Sequence, residues 1–273
     1  MLSSFSKNTL KQYNVTYKIW WEFCQKQSID PFTPSIPIIM YFLTEQFNLG
    51  ASYGSLNSHK SALAVIIGSK IGDDDRVKRL LKGFYKIKPP GPKYHTTWDP
   101  SKVLNVLKTW TPNTSLNFEK LSKKLVMLLA LSTAQRAQTL SLIKIPNITV
   151  NHAGVHISIT DAIKTSGLGR SQPNLFLPFF EKIEICPAST LRDYINFTQS
   201  LRGSNTHLIL SLNKPHKPVS PSTISRWIKN TLSVCGIDIS IFSGHSTRHA
   251  STSTANAKRS VTRYNKANSR LDK

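Results

Sequence analysis

Acidic residues are scarce in this chain. Asp and Glu together number 14 against 36 Lys and Arg in 273 residues, leaving a net charge of +22 at pH 7 with histidine neutral. An excess of that size is costly in self-repulsion unless a polyanion relieves it, and nucleic acid is the first candidate. Cysteine is scarce too. Cys24, Cys186 and Cys235 are odd in number and far apart, with no Cys-x-x-Cys pair and no histidine at metal spacing; this pattern argues against a disulfide framework or zinc site and predicts reduced thiols. Nowhere do about 18 consecutive apolar residues occur to cross a bilayer, and the opening "MLSSFSKNTLKQYN" has no apolar run of signal-peptide length. No basic amphipathic stretch stands apart from the apparent core, so a membrane surface fits less well than nucleic acid. An intracellular protein with no membrane partner is expected.

The length favours two domains. Leu10, Tyr13, Tyr17, Trp20 and Cys24 recur at alternating spacings of three and four, one buried helical stripe. "FTPSIPIIMYFLTEQF" begins a second helix after its prolines, Ser52 is placed to cap a third, and "DDDRVKRLLKGFYK" sets three carboxylates at the start of a fourth. Four helices make an all-α domain over residues 1–86, in which the Trp20–Trp21 pair is expected in the core. "KIKPPGPKYHTTW" breaks the periodicity and reads as a linker, residues 87–98. Before Trp98 there are 13 basic and 6 acidic residues, after it 23 and 8. Both halves are cationic, which suits a two-part clamp on a polyanion.

Past the linker, Asp99 is placed as an N-cap with Pro100 at the first helical position, and "LSKKLVMLLALSTAQRAQTLSLI" follows as more helix. "NITV", "GVHISIT" and "NLFLPF" are short, β-branched or aromatic and separated by turn residues, the pattern of a small antiparallel sheet. Helical spacing returns in "PASTLRDYINFTQSL" and "SPSTISRWIKNTL", and "SGHSTRHASTSTANAK" opens a last helix. The expected class is mainly α with a small antiparallel β-sheet.

Phosphoryl transfer without a metal needs fixed cations round the phosphorus, and the planar fork of Arg grips two oxygens at once. Arg136 follows an apolar helix in "LSTAQRAQTLSLI"; Lys164 sits at a strand end in "ITDAIKTSGLG"; His245 and Arg248, three apart at a helix start, share one face. Singly, each has an ordinary reading: a solvated helix residue, a turn lysine, a helix cap. Together and in this order, an Arg after an apolar helix, a Lys on a β-hairpin and a His-x-x-Arg resemble the tyrosine recombinase (phage integrase) family. "TAQRAQTLSL", "IKTSGLG" and "FSGHSTRHASTS" look most like the recombinases of eukaryotic mobile elements, the tyrosine-recombinase retrotransposons and cryptons.

The resemblance implies an N-terminal core-binding, SAM-like domain over 1–86 and an α+β catalytic domain over 99–257, with double-stranded DNA as partner. It implies a homo-oligomer on DNA, a tetramer in the family, and a nuclear location if the source is eukaryotic. Arg136 and Arg248 would clamp the nonbridging oxygens of the scissile phosphate, Lys164 would protonate the leaving 5′ oxygen, and His245 would move a proton to or from the attacking tyrosine. The tyrosine would form a 3′-phosphotyrosyl link, with no metal or cofactor. His249 reads as a packing or hydrogen-bonding residue.

In the family the nucleophile lies beyond His-x-x-Arg by the rest of that helix, another helix bearing a His or Trp, and a connection, a path of roughly 25 to 35 residues. Here 25 residues follow Arg248, no Trp follows Trp227, and Tyr264 comes 16 positions after Arg248. Its surroundings, "KRSVTRYNKANSRLDK", lack the apolar pattern of a helix that could aim it. Residues 258–273 are therefore expected to be a basic, unstructured tail, with Tyr264 a solvated residue and the C-terminal part truncated or diverged. A frame change, an alternative exon or degeneration would each produce this. The rival readings are a DNA-binding remnant without chemistry and a type IB topoisomerase-like enzyme.

Overall fold

The first helix begins where Ser6, in extended backbone, turns its hydroxyl to accept a hydrogen bond from the Thr9 N–H at 3.1 Å. Helix α1 (Lys7–Gln27) then runs until Ser28 adopts a left-handed conformation. The computed structural model describes residues 4–92 and 94–256, in two units divided after residue 93. In the first unit α1 is followed by α2 (Ile36–Asn48), α3 (Tyr53–Ile67), α4 (Lys70–Asp73) and α5 (Asp75–Ile87). Ser52 caps α3 by accepting from Ser55 N–H at 3.1 Å, and the Asp74 carboxylate caps α5. Trp20 fills the centre, edge-on to Phe42 with ring centroids 5.1 Å apart, its indole donating to the Pro31 carbonyl at 3.0 Å.

Two expectations need correction here. The single turn α4 makes a fifth helix: it buries only Ile71, too little for an apolar periodicity to reveal. Trp21 is not core; it lies on the outer side of α1 and is 52% exposed, because the buried stripe passes through Thr16, Trp20, Phe23 and Cys24. Helix α5 has sharply divided faces, Val77, Leu81 and Phe84 turning inward while Arg76, Lys78, Arg79, Lys82 and Lys86 are exposed.

The second unit is organised round α7 (Phe118–Thr133), started by the Asn117 side chain. From Leu121 to Ala130 it is buried on nearly every side apart from Lys123, as befits a helix enclosed by others. Helices α6 (Pro100–Lys108), α9 (Pro187–Thr198) and α10 (Pro221–Val234) surround it, α6 capped by Asp99 with Pro100 in its first turn. Between Ile148 and Pro178 the chain makes the sheet, with antiparallel order β1 (Ile148–Val150), β2 (Gly154–Ser158), β3 (Asn174–Pro178). Val155 pairs with Leu177 and Ile157 with both Ile148 and Leu175, which turns the apolar set inward. Gly154 is required at the sheet's corner, because a Cβ there would lie 2.3 Å from the Leu177 carbonyl oxygen.

Lys124 is the anomaly of this core. Wholly buried on α7, it donates to the Trp110 carbonyl at 2.5 Å and to Asn113 Oδ1 at 2.8 Å, while Asn113 Nδ2 donates to Asp193. Burial holds its pKa down to about 8, with Asp193 and Glu184 acting in the opposite sense. All three cysteines are buried free thiols. Among the described residues no helix is long and apolar enough to cross a membrane, and no group of three or more His, Cys, Asp or Glu could hold a metal ion.

Candidate functional site: an arginine pair

The apolar stretch expected as more helix does not continue unbroken. Helix α7 stops at Thr133, Ala134 takes a left-handed conformation (φ 51°), and a new short helix, α8 (Ala137–Ser141), starts behind Arg136. Left-handed backbone is unfavourable for alanine by about 1–2 kcal/mol. What holds it is the last described helix, α11 (residues 246–256). Arg248 Nε donates to the Ala134 carbonyl at 2.7 Å, and Ser251 Oγ donates to the Leu131 carbonyl at 2.5 Å. Carbonyls at a helix C-terminus have no partner within the helix. Two such groups of α7 are thus satisfied by side chains of α11.

That contact brings the two expected arginines together. Arg136, half-buried, lies in extended backbone at the N-terminus of α8, two residues beyond the carbonyl that Arg248 grips. The Arg248 pKa is lowered from its ordinary value first by burial and second by the charge of Arg136. Among the described residues neither guanidinium has an acidic partner; the ion pairs of this unit fall elsewhere, as with Lys144 and Asp161 at 2.9 Å. Two neighbouring cations without a carboxylate suit an anion with several oxygens.

His245 is exposed, one residue before α11, and its carbonyl accepts from Arg248 N–H at 3.3 Å. The turn that carries it is braced from far away in sequence. Tyr94 Oη lies 2.7 Å from Ser243 Oγ, and Trp98 Nε1 donates to Ser246 Oγ at 2.9 Å; Ser246 Oγ in turn donates to the Ser243 carbonyl at 2.7 Å. Gly244 presses the turn onto α10, where a Cβ would come within 2.9 Å of the Ser225 carbonyl oxygen. Sequence reasoning missed Tyr94, Trp98, Ser243, Gly244 and Ser246; the one available signal was the pair of aromatics in a stretch otherwise composed like a linker. His249 is exposed, its ring centroid 6.4 Å from that of Tyr94.

Lys164 is exposed in the connection between β2 and β3, and among the described residues no hydrogen bond or ion pair joins it to Arg136, His245 or Arg248. Tyr264 and the expected tail, residues 258–273, lie outside the described residues.

The phage integrase family model matches residues 101–262. Among curated proteins no sequence matches. Similar solved structures include three complexes with DNA. The XerH site-specific recombinase bound to difH substrate, in a pre-cleavage complex, is 15% identical at a TM-score of 0.63, covering 91% of this chain and 68% of that one. The Tn1549 transposon integrase in complex with transposon right end DNA is 15% identical at 0.59, covering 93% and 82%. A lambda integrase tetramer bound to a Holliday junction is 17% identical at 0.53, covering 92% and 68%. At these identities the likeness is one of fold.

Proposed function

The chain belongs to the phage integrase family, and from that premise we propose that it is a DNA-binding tyrosine recombinase of mobile-element origin. The observation that carries the reading is that Arg248 grips the Ala134 carbonyl two residues before Arg136, and that among the described residues neither guanidinium is ion-paired to a carboxylate. A phosphodiester fills such a place, one arginine to each nonbridging oxygen. As charge builds on those oxygens in the transition state, both cations stabilise it more than they stabilise the substrate.

In the full reaction the tyrosine oxygen bonds to phosphorus and the bond from phosphorus to O5′ breaks. The phenolic proton passes to His245, and Lys164 supplies a proton to the departing O5′. The 3′-phosphotyrosyl link keeps the bond energy for rejoining. Residues 1–86 act as the helical DNA-binding domain and 99–257 as the catalytic domain, a division supported by two separate hydrophobic clusters; Trp98, at the end of the expected 87–98 linker, belongs to the second cluster. Assembly as a tetramer on double-stranded DNA is carried over from the family, and a nuclear location goes with the eukaryotic mobile-element wording of the motifs.

The nucleophile is the open position. Tyr264 lies beyond the family match, which ends at residue 262, in a segment without the apolar pattern needed to dock a helix. The 273-residue chain is therefore expected to bind DNA without forming a covalent adduct on nicked or suicide duplexes. A chimera with a family-like helix pair and its tyrosine grafted after Ala257 should form one. An adduct from the unmodified chain that Tyr264→Phe removes would reverse the reading of the tail. A folded chimera that binds DNA yet never forms an adduct would leave a DNA-binding remnant.

A further inference from the structure

The connection between β2 and β3 is built, not slack. Ile163 anchors it in the core. From there two β-turns follow in succession. In the first, Ser166 N–H donates to the Ile163 carbonyl at 2.9 Å, and in the second Arg170 N–H donates to the Gly167 carbonyl at 3.1 Å. Gly169, third in the second turn, has φ +72°, the conformation a type II turn demands of that position. Ser166 Oγ braces the pair, accepting from Ile163 N–H at 2.8 Å and lying 2.8 Å from the Gln172 amide nitrogen.

The two turns place Lys164 and Leu168 at equivalent corners, with Arg170 closing the second. Leu168 is 105% exposed. Single apolar side chains on a surface are ordinary, but this one is held at the apex of an ordered turn, between glycines, with exposed cations on both sides in sequence. Turn corners are normally filled by proline or polar residues. A leucine there is matched by a partner that offers anionic oxygens around an apolar recess, and duplex DNA offers this where a base step can open between its phosphates.

We propose that the 167–170 tip is a DNA wedge, in which Leu168 inserts at a base step while Arg170 holds a flanking phosphate. This rests on the DNA-binding reading above and adds the mode of contact. A wedge works against base stacking, so it favours DNA whose stacking is already weakened.

The test compares two duplexes of about 30 base pairs that differ by one central mismatch, with 2-aminopurine beside it. The complete chain should bind the mismatched duplex about tenfold more tightly, a saving of about 1.4 kcal/mol from the unstacking cost, and should brighten the 2-aminopurine. Leu168→Ser should abolish the preference and the brightening while leaving the salt dependence of binding unchanged; Leu168→Met should retain both. Arg170→Ala should lower the salt slope by about one and keep the preference. The side chain at 168 packs against nothing, so these variants keep the fold. Binding without a mismatch preference, or a preference that survives Leu168→Ser, overturns the wedge and leaves DNA binding standing. Failure to bind either duplex removes both.

Discussion

In the proposed reaction Arg248 has two tasks that pull against each other. Its Nε is committed to the Ala134 carbonyl, so its remaining nitrogens are the ones that can meet a phosphate, and Arg136, two residues on, has no ion-pair partner among the described residues. Arg136→Lys is accordingly expected to cut adduct formation by the tail-grafted chain nearly as much as Arg136→Ala, because an ammonium cannot grip two oxygens. DNA affinity of the 273-residue chain should fall only modestly in either variant. Single-turnover cleavage alongside equilibrium binding checks this, and wild-type cleavage by the Lys variant would remove Arg136 from the site. Ala134 invites a second substitution. Glycine relieves the left-handed strain there, so Ala134→Gly should raise the melting temperature by about 2–4 °C, with the Arg248 hydrogen bond retained because it is made to backbone. At Gly244 the sign is opposite: Gly244→Ala forces the His245 turn away from α10 and should cost about 1–3 kcal/mol in denaturant unfolding.

Among the elements, α7 is where pH enters stability. Lys124 has a folded-state pKa near 8, below the ordinary lysine value of about 10.4, so between those values the unfolded chain binds more protons and stability rises with pH. Cys24 and Cys235, pushed up by burial to about 11, act in the opposite direction. Measured as the difference between wild type and Lys124→Met, melting temperatures should show the wild type gaining a few degrees from pH 7.5 to 9.5, and a flat difference would contradict the burial of the charge. The same helix marks the limit of what the sequence makes legible. Ser52 and Asp99 are readable as caps because the chemistry is local, and the three strands because β-branched and aromatic residues between turn residues are a local signal too. Arg136, His245 and Arg248 stand out only as a set. The break at Ala134 carries no compositional sign, since the residue is not glycine. Nor do the braces from Tyr94 and Trp98, whose partners lie 149 and 148 positions along the chain.

On the scale of the whole molecule, positive charge is spread through both halves of the sequence, and the exposed cations of α5 show the first unit presenting its share to solvent. Binding to a long random duplex should therefore weaken steeply with salt, by about 10³ or more between 50 and 200 mM if six or more phosphates are engaged. A shallow log–log slope would count against contact through both units. Limited trypsin digestion should cut first between Ile87 and Tyr94, giving two folded fragments that each bind DNA more weakly than the whole; early cuts within α1 or α7 would contradict that division. Leu168 and Gly244 would part company in a lineage of drifting copies. Glycine at 244 is imposed by the Ser225 backbone and would persist in any copy that still folds, whether or not it still acts. Nothing in the fold holds leucine at 168, so in copies released from selection on DNA contact it should be among the first apolar residues to become polar, and its persistence would date the loss of function more closely than any core position.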